Sequence, residues 1–385
     1  MATLTSTSAE RDTPGRVVPG PLSWSPPERP KKNWTALIFG PFVFIAVALF
    51  LVSQITLPYV QLAPGGADPI NALLEVPKEH AHPPKGSFLL TTVSLRASVT
   101  PLDFVYDYFD SDIVLISKKD ILGGSTQRQY NQQAVQDMND SKEAAVVLAF
   151  RTLGYKVPEH GSGALIAAVP DSQVPATGLL EPGDVITALD GVPTNLAQEA
   201  IGILQKKKPG ENVVATLTAD DGSTAQKTIR LGTRSDASCS TAIVQGGSAC
   251  LGVILGTKNH RFDYPYKVSI DTTGVGGPSA GLAFTLALID ELTPGELTGG
   301  HNVAVTGTID IDGTVGDVGG VRQKTAAVRH AGATLFLVPP GEYQEARKHA
   351  GKKLKVVQVT TLADALAALR ANGGEAPALP QQAAQ

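Results

Sequence analysis

Apolar and polar positions alternate along this chain on several different periods. The first tract is apolar and unbroken: residues 33–67 carry no charged side chain, and their core, 34–52, is predominantly apolar. That core has the ~20-residue length of a membrane-crossing helix. Gly40-Pro41 would kink it, which a membrane tolerates. Arg29, Lys31 and Lys32 stand just before it, predicting a cytoplasmic N-terminus and everything after about residue 57 outside the membrane. A cleaved signal peptide competes with this anchor, but the run is long, begins late and lacks a small-x-small site. Further on, residues 86–95 alternate and are β-branched, predicting a strand over 88–94. Residues 140–153 have helical spacing, with an Asp/Ser cap and apolar Ala145, Val146, Leu148 and Ala149. Strands follow at 163–169, 213–218 and 225–231, with a helix over 194–205. Near the C-terminus, a strand-like segment, 302–309, separates a helix ending near Leu292 from one that stops at Gly332.

Both of those late helices open on glycine turns that hold candidate chemistry. The first turn reads Gly276-Gly277-Pro278-Ser279-Ala280-Gly281. Proline suits the first helical position, so Ser279 falls in a first turn among unpaired backbone N–H groups. Such amides can stabilise an oxyanion beside a serine nucleophile, though an anion pocket or a plain cap would use the same geometry. The second turn reads Val318-Gly319-Gly320-Val321-Arg322-Gln323-Lys324. A lysine in a first turn is repelled by the helix dipole, and burial would lower its pKa further. A lysine base working near neutral pH needs both effects, and serine–lysine pairs are a known variant of nucleophile plus base.

Gly277-Pro278-Ser279-Ala280-Gly281 resembles the nucleophile motif of Lon-type serine proteases. The stretch ending at Lys324 resembles their lysine motif, and Thr306-Gly307 resembles the Thr-Gly whose threonine orients that lysine. Ala331-Gly332-Ala333 and the run to Pro339 continue the likeness, which covers roughly 251–371. The resemblance implies an α/β proteolytic domain of the ribosomal S5 domain 2-like kind. In it Ser279, Lys324 and Thr306 are catalytic, and Gly277, Pro278 and Ala280 form the oxyanion loop. Many relatives carry an acid three places before the serine; here that place is Gly276.

Upstream, residues 176–191, with Gly183-Asp184-Val185-Ile186 and Asp190-Gly191, resemble the core of a PDZ domain, a partly open β-sandwich with two helices. On that likeness Leu153-Gly154-Tyr155 takes the place of the carboxylate-binding loop, and an edge strand would receive a peptide as an added strand. The same residues also read as a helix stop followed by a strand. The layout as a whole resembles the membrane-anchored PDZ–Lon proteases of Gram-positive bacteria. The expected fold class is therefore multidomain α+β: a disordered tail, 1–32; one transmembrane helix, 33–57; a membrane-proximal segment, 58–140; a PDZ domain with its leading helix, 141–232; a linker, 233–250; the protease domain, 251–371; and a loose tail, 372–385.

Composition narrows the function further. A net charge of −4 over 385 residues gives no reason to expect nucleic acid as a partner. The two cysteines, Cys239 and Cys250, can form one disulfide in an oxidising compartment, and their spacing fits no zinc pattern. His80 and His82 lack further ligands, and His301 and His330 read as a loop and a helix-surface residue rather than bases. No phosphate-binding G-x-x-x-x-G-K-[ST] run occurs, so neither ATP nor any other cofactor or metal is expected. Expected partners are peptides or unfolded proteins, the membrane through one helix, and further copies of the chain in a homo-oligomer. Two functional classes remain: an ATP-independent endopeptidase with a Ser279–Lys324 dyad, and a non-catalytic adaptor that binds C-termini on a Lon-like scaffold.

Overall fold

The computed structural model describes residues 34–169, 174–219, 221–233 and 249–377. These fall into two units divided between Ile55 and Thr56. The first contains one helix, α1 (Trp34–Ser53), with Pro41 inside it. Among the described residues, no helix is long and apolar enough to cross a membrane. The expected transmembrane helix is thereby overturned. The localisation goes with it, because cytoplasmic N-terminus and extracytoplasmic catalytic domain were both derived from that span. The expected tail over 1–32 lies outside the described residues.

In the second unit the alternation at 86–95 does form a strand, but it is not part of a separate membrane-proximal segment. In chain order come β1 (Tyr59–Pro69), β2 (Ser87–Arg96), α2 (Pro101–Tyr108), β3 (Val114–Ser117) and α3 (Gln127–Thr152). α3 begins well before the predicted 140, capped by Thr126 and Gln129 in a reciprocal capping box. Next come β4 (Ala164–Ala168), β5 (Val185–Leu189), α4 (Ala197–Gln205), β6 (Asn212–Thr218), β7 (Thr224–Arg230) and β8 (Ile254–Thr257). The chain then forms α5 (Gly281–Glu291), β9 (Asn302–Val305), α6 (Val321–His330), β10 (Leu335–Val338), α7 (Tyr343–His349), β11 (Lys355–Gln358) and α8 (Leu362–Arg370).

The larger sheet runs β11-β10-β9-β2-β1-β3. Its centre is parallel: Ala304 on β9 pairs with Leu89 on one side and Phe336 on the other. Side chains of these strands alternate between two faces, as period-two geometry requires. Phe88, Leu90, Val303, Val305, Leu335 and Leu337 pack with α3, α5 and α8 on one face. Leu89, Ala304, Phe336 and Val338 pack with α6 and α7 on the other. Strands buried on both faces read as continuous apolar runs rather than alternations, as Leu335–Val338 does.

The smaller sheet, β7-β6-β5-β4-β8, is antiparallel throughout. It is inserted between the two halves of the larger one. Where the chain enters and leaves the insert, Glu159–His160 and Arg261–Phe262 pair with each other, and His160 Nε2 lies 2.8 Å from Asp263 and His260 Nε2 2.9 Å from Glu159. The expected linker behaves differently from a domain boundary: Gly232–Thr233 pairs with Ala249–Cys250, and β8 follows as the sheet's outer strand. Residues 234–248 lie outside the described residues. Cys250 is disulfide-bonded; the chain's other cysteine, Cys239, is among the residues not described. Nor does the C-terminal tail hang free over 372–377, since the Glu375 N–H reaches the Glu296 carbonyl at 2.8 Å.

Candidate active site

The site lies at the C-terminal ends of parallel β9 and β10, the end of an open α/β sheet where ligands characteristically bind. Thr306 directly follows β9, and its N–H donates to Leu337 O on β10 at 3.0 Å. One face of the sheet brings α5 to this point and the other brings α6, so the two glycine turns converge from opposite sides of the same strand end.

Ser279 occupies a single 3-10 turn, Pro278–Ala280, immediately before α5 rather than the α-helix itself. Gly277 leads into it with φ +94°, a backbone conformation that a side chain would strain. Three bonds anchor this turn. The Gly277 N–H donates to Ala134 O of α3 at 2.9 Å, the Gly307 N–H donates to Ser279 O at 3.0 Å, and Ser141 Oγ of α3 donates to Pro278 O at 3.0 Å. Of the expected oxyanion loop, then, Gly277 has its amide committed to α3 and Pro278 has none to offer. Ala280 remains, beside Ser279 itself. A Cβ on Gly281 would stand 2.6 Å from Ser141 Oγ and 2.8 Å from Ile309 Cγ2. Gly281→Ala is therefore expected to destabilise the fold by about 1–3 kcal/mol, measurable as a lower midpoint in urea.

Lys324 lies in the first turn of α6, with its N–H on Gly320 O at 3.0 Å. It is only 2% exposed. Its Nζ donates to Thr306 Oγ1 at 3.0 Å, and that hydroxyl in turn donates to Ser279 O at 3.4 Å. Burial lowers the lysine's pKa from 10.5 to about 8, with the charge of Glu342 opposing the fall. The lysine therefore holds an amine that can be neutral near physiological pH, one N–H fixed on a threonine and its lone pair uncommitted.

Ser279 and Lys324 line one cleft of ≈ 1310 Å³. Its other walls come from β2 (Thr91 to Val93), from α3 (Ala134 and Met138) and from the loop Asp317–Gly320. α3 was legible as a helix only in its second half; its first half, 127–139, carries Gln or Asn at seven of thirteen positions, which hides the helical periodicity. His301 and His330 are exposed and line neither cavity. His80 stacks on Tyr266 with ring centroids 3.9 Å apart.

The expected carboxylate loop is built otherwise. Leu153-Gly154-Tyr155 is the C-terminal stop of α3. Its three amides are spent on helix carbonyls: Leu153 on Ala149 at 3.1 Å, Gly154 on Arg151 at 3.0 Å and Tyr155 on Phe150 at 3.0 Å. This is the Schellman pattern of bonds that closes many helices. Tyr155 packs edge-on against Phe150 and Tyr266. No amide is left there for a carboxylate. The strand at the outer edge of the small sheet is β8, which packs beside α4, and Thr257 Oγ1 accepts the Ala197 N–H of that helix at 3.0 Å. The turn leading into β8 is Cys250-Leu251-Gly252-Val253. This is a second apolar-Gly-apolar run followed by a short strand, hidden in the sequence behind a Ser/Gly/Ala-rich stretch.

Comparisons with known proteins agree with the larger domain. Residues 258–371 match the family model of the Lon protease (S16) C-terminal proteolytic domain. The chain is 30% identical over 189 residues to the Lon protease of Methylocella silvestris, covering 47% of this chain and 22% of that protein. It is 35% identical over 102 residues to the Lon protease of Clostridioides difficile, covering 26% and 13%. The chain thus spans about a fifth or less of these relatives' length. Among solved structures, the PDZ domain of an SdrC-like protein from Listeria monocytogenes is 29% identical, with a TM-score of 0.20, covering 24% of this chain and 87% of that one. Residues 258–371 carry the Lon protease (S16) C-terminal proteolytic domain, a serine peptidase domain.

Proposed function

We propose that this chain is an endopeptidase in which Ser279 and Lys324 act as a dyad on unfolded polypeptide, without nucleotide. The observation that carries this reading is the buried lysine on Thr306, sharing one cleft with Ser279. Ser279 Oγ attacks the scissile carbonyl. The neutral Lys324 amine takes its proton and later gives it to the leaving amine. Thr306 accepts one lysine N–H and so aims the lone pair, while the amides of Ser279 and Ala280 face the developing oxyanion. The purified full chain, incubated with an unfolded protein and no ATP, should release peptides whose new termini mass spectrometry can identify. Intact substrate from the parent chain would favour the adaptor reading instead.

The insert supplies a second element of the same proposal: recognition of C-terminal peptides along β8. An edge strand offers unpaired backbone to an added strand, and the groove between it and a helix can hold side chains. The glycine turn at Leu251-Gly252-Val253 would receive the terminal carboxylate. A peptide with a free C-terminus should bind at least tenfold tighter than its amidated form, and should shift the NMR amide signals of Gly252 and Val253 but not those of Leu153 and Gly154. Equal affinity for the two peptides refutes this mode.

A further inference from the structure

Two short segments meet beside Lys324. One is 317–320, which lines the cleft and opens α6. The other is Gly341-Glu342, in the turn from β10 to α7. They hold each other reciprocally. Glu342 Oε1 accepts the Val318 N–H at 2.9 Å, and Asp317 Oδ1 accepts the Gly341 N–H at 3.2 Å. The approach is close: a Cβ at 341 would stand 2.6 Å from Asp317 Oδ2 and would push that side chain aside.

Glu342 is 9% exposed, and its Oε2 is buried with no hydrogen-bond partner. Burial and the neighbouring Asp317 push the Glu342 carboxyl above its usual range, while the Val318 N–H pulls the other way. Glu342 is also the charge that raises the Lys324 pKa against burial.

Other charges around α6 stand elsewhere. Among the described residues no carboxylate forms an ion pair with Lys324. Arg322 lines a separate cavity of ≈ 520 Å³ with Asp107. Of the strands packed on α6, β2 carries no titratable side chain before Arg96, and β1 carries only Tyr59 and Asp68. α7 adds Tyr343, Glu345, Arg347, Lys348 and His349; of these, His349 is paired with Glu345.

We infer that Glu342 is a positioning residue for Lys324: through its bond to the Val318 N–H it holds the 317–320 segment that starts α6, and it places a buried negative charge beside that helix's first turn. This rests on Lys324 being the base. Glu342→Gln separates the two effects, because the amide oxygen still accepts the Val318 N–H while the charge is gone. Without the charge the protonated lysine is less favoured, so the neutral fraction near pH 7 should rise about three- to tenfold and the acid limb of activity should move to lower pH. Glu342→Ala also loses the bond to Val318, and kcat should fall about tenfold with KM little changed.

The deciding measurement is the Lys324 titration itself, followed by 13C NMR of lysine Cε in the Ser279→Ala background, with and without Glu342→Gln. A lower midpoint in the Gln variant supports the inference. An unchanged midpoint overturns it. A lowered midpoint that the activity profile does not follow supports the role of Glu342 and instead removes Lys324 as the base.

Discussion

Ser279→Ala and Lys324→Ala will each lower turnover of an unfolded substrate by roughly four to six orders of magnitude, and the double variant will be little worse than either. On the proposed mechanism the two side chains act on one proton, so removing either removes the same step. Among the described residues Ser279 Oγ makes no hydrogen bond that would confound the result: the bonds anchoring its turn run through backbone carbonyls and the amide of Gly277. Lys324→Arg is the stricter variant. Arginine keeps the charge and approximate length but does not give up its proton in proteins. Wild-type turnover from it would rule out lysine as the base. Thr306→Val should cost less, about ten- to a hundredfold, because it loosens the lysine's aim without removing either reacting group.

The second large effect is on pH. Because burial lowers Lys324 to about 8, kcat/KM should rise close to tenfold per pH unit up to about pH 8 and then level off. A profile flat from pH 6 to pH 9 would exclude a titrating base in this range. Stability should respond in a linked way. In the unfolded chain the lysine keeps its ordinary 10.5. Between about 8 and 10.5 the unfolded state therefore holds a proton that the folded state has lost, and stability climbs with pH across that window. Below about 8 both states are protonated, and the cost of burying the cation is fully present. Lys324→Met should thus stabilise the fold by on the order of 3 kcal/mol below pH 8, with the gain vanishing toward pH 10.5, while abolishing activity. Denaturant titrations of the two chains at pH 7 and pH 10 check this.

Much of the site was legible because local rules and function coincide there. Gly-Pro-Ser before an apolar run can only be a turn opening a helix, and Val321–Lys324 after two glycines is the same device again. Those constraints span a few residues, so the sequence alone determined both helix starts and a strand between them; that strand was read as 302–309, and the structure ends it at Val305, leaving Thr306 just beyond it. Three strands of the insert, β4, β6 and β7, were legible for a similar reason, since period-two burial is written into neighbouring positions.

Errors arose where the decisive partners are far apart in the chain. The apolar run at 34–52 signals hydrophobicity on any scale, but among the described residues no helix is long and apolar enough to cross a membrane. Residues 58–140 showed no chemistry of their own because their role is to complete a sheet whose other half begins at Asn302: β2 pairs with β9 across more than two hundred intervening residues, and no local pattern encodes that partner. Leu153-Gly154-Tyr155 and Leu251-Gly252-Val253 are alike as strings. Which one ends a helix and which one feeds an open edge depends on where their amides find acceptors, and only the folded backbone decides that. The same holds for Lys324. Its position in a first turn was written in the sequence, but its burial, its threonine and the carboxylate that opposes its pKa shift come from three separate segments, brought together by the tertiary structure.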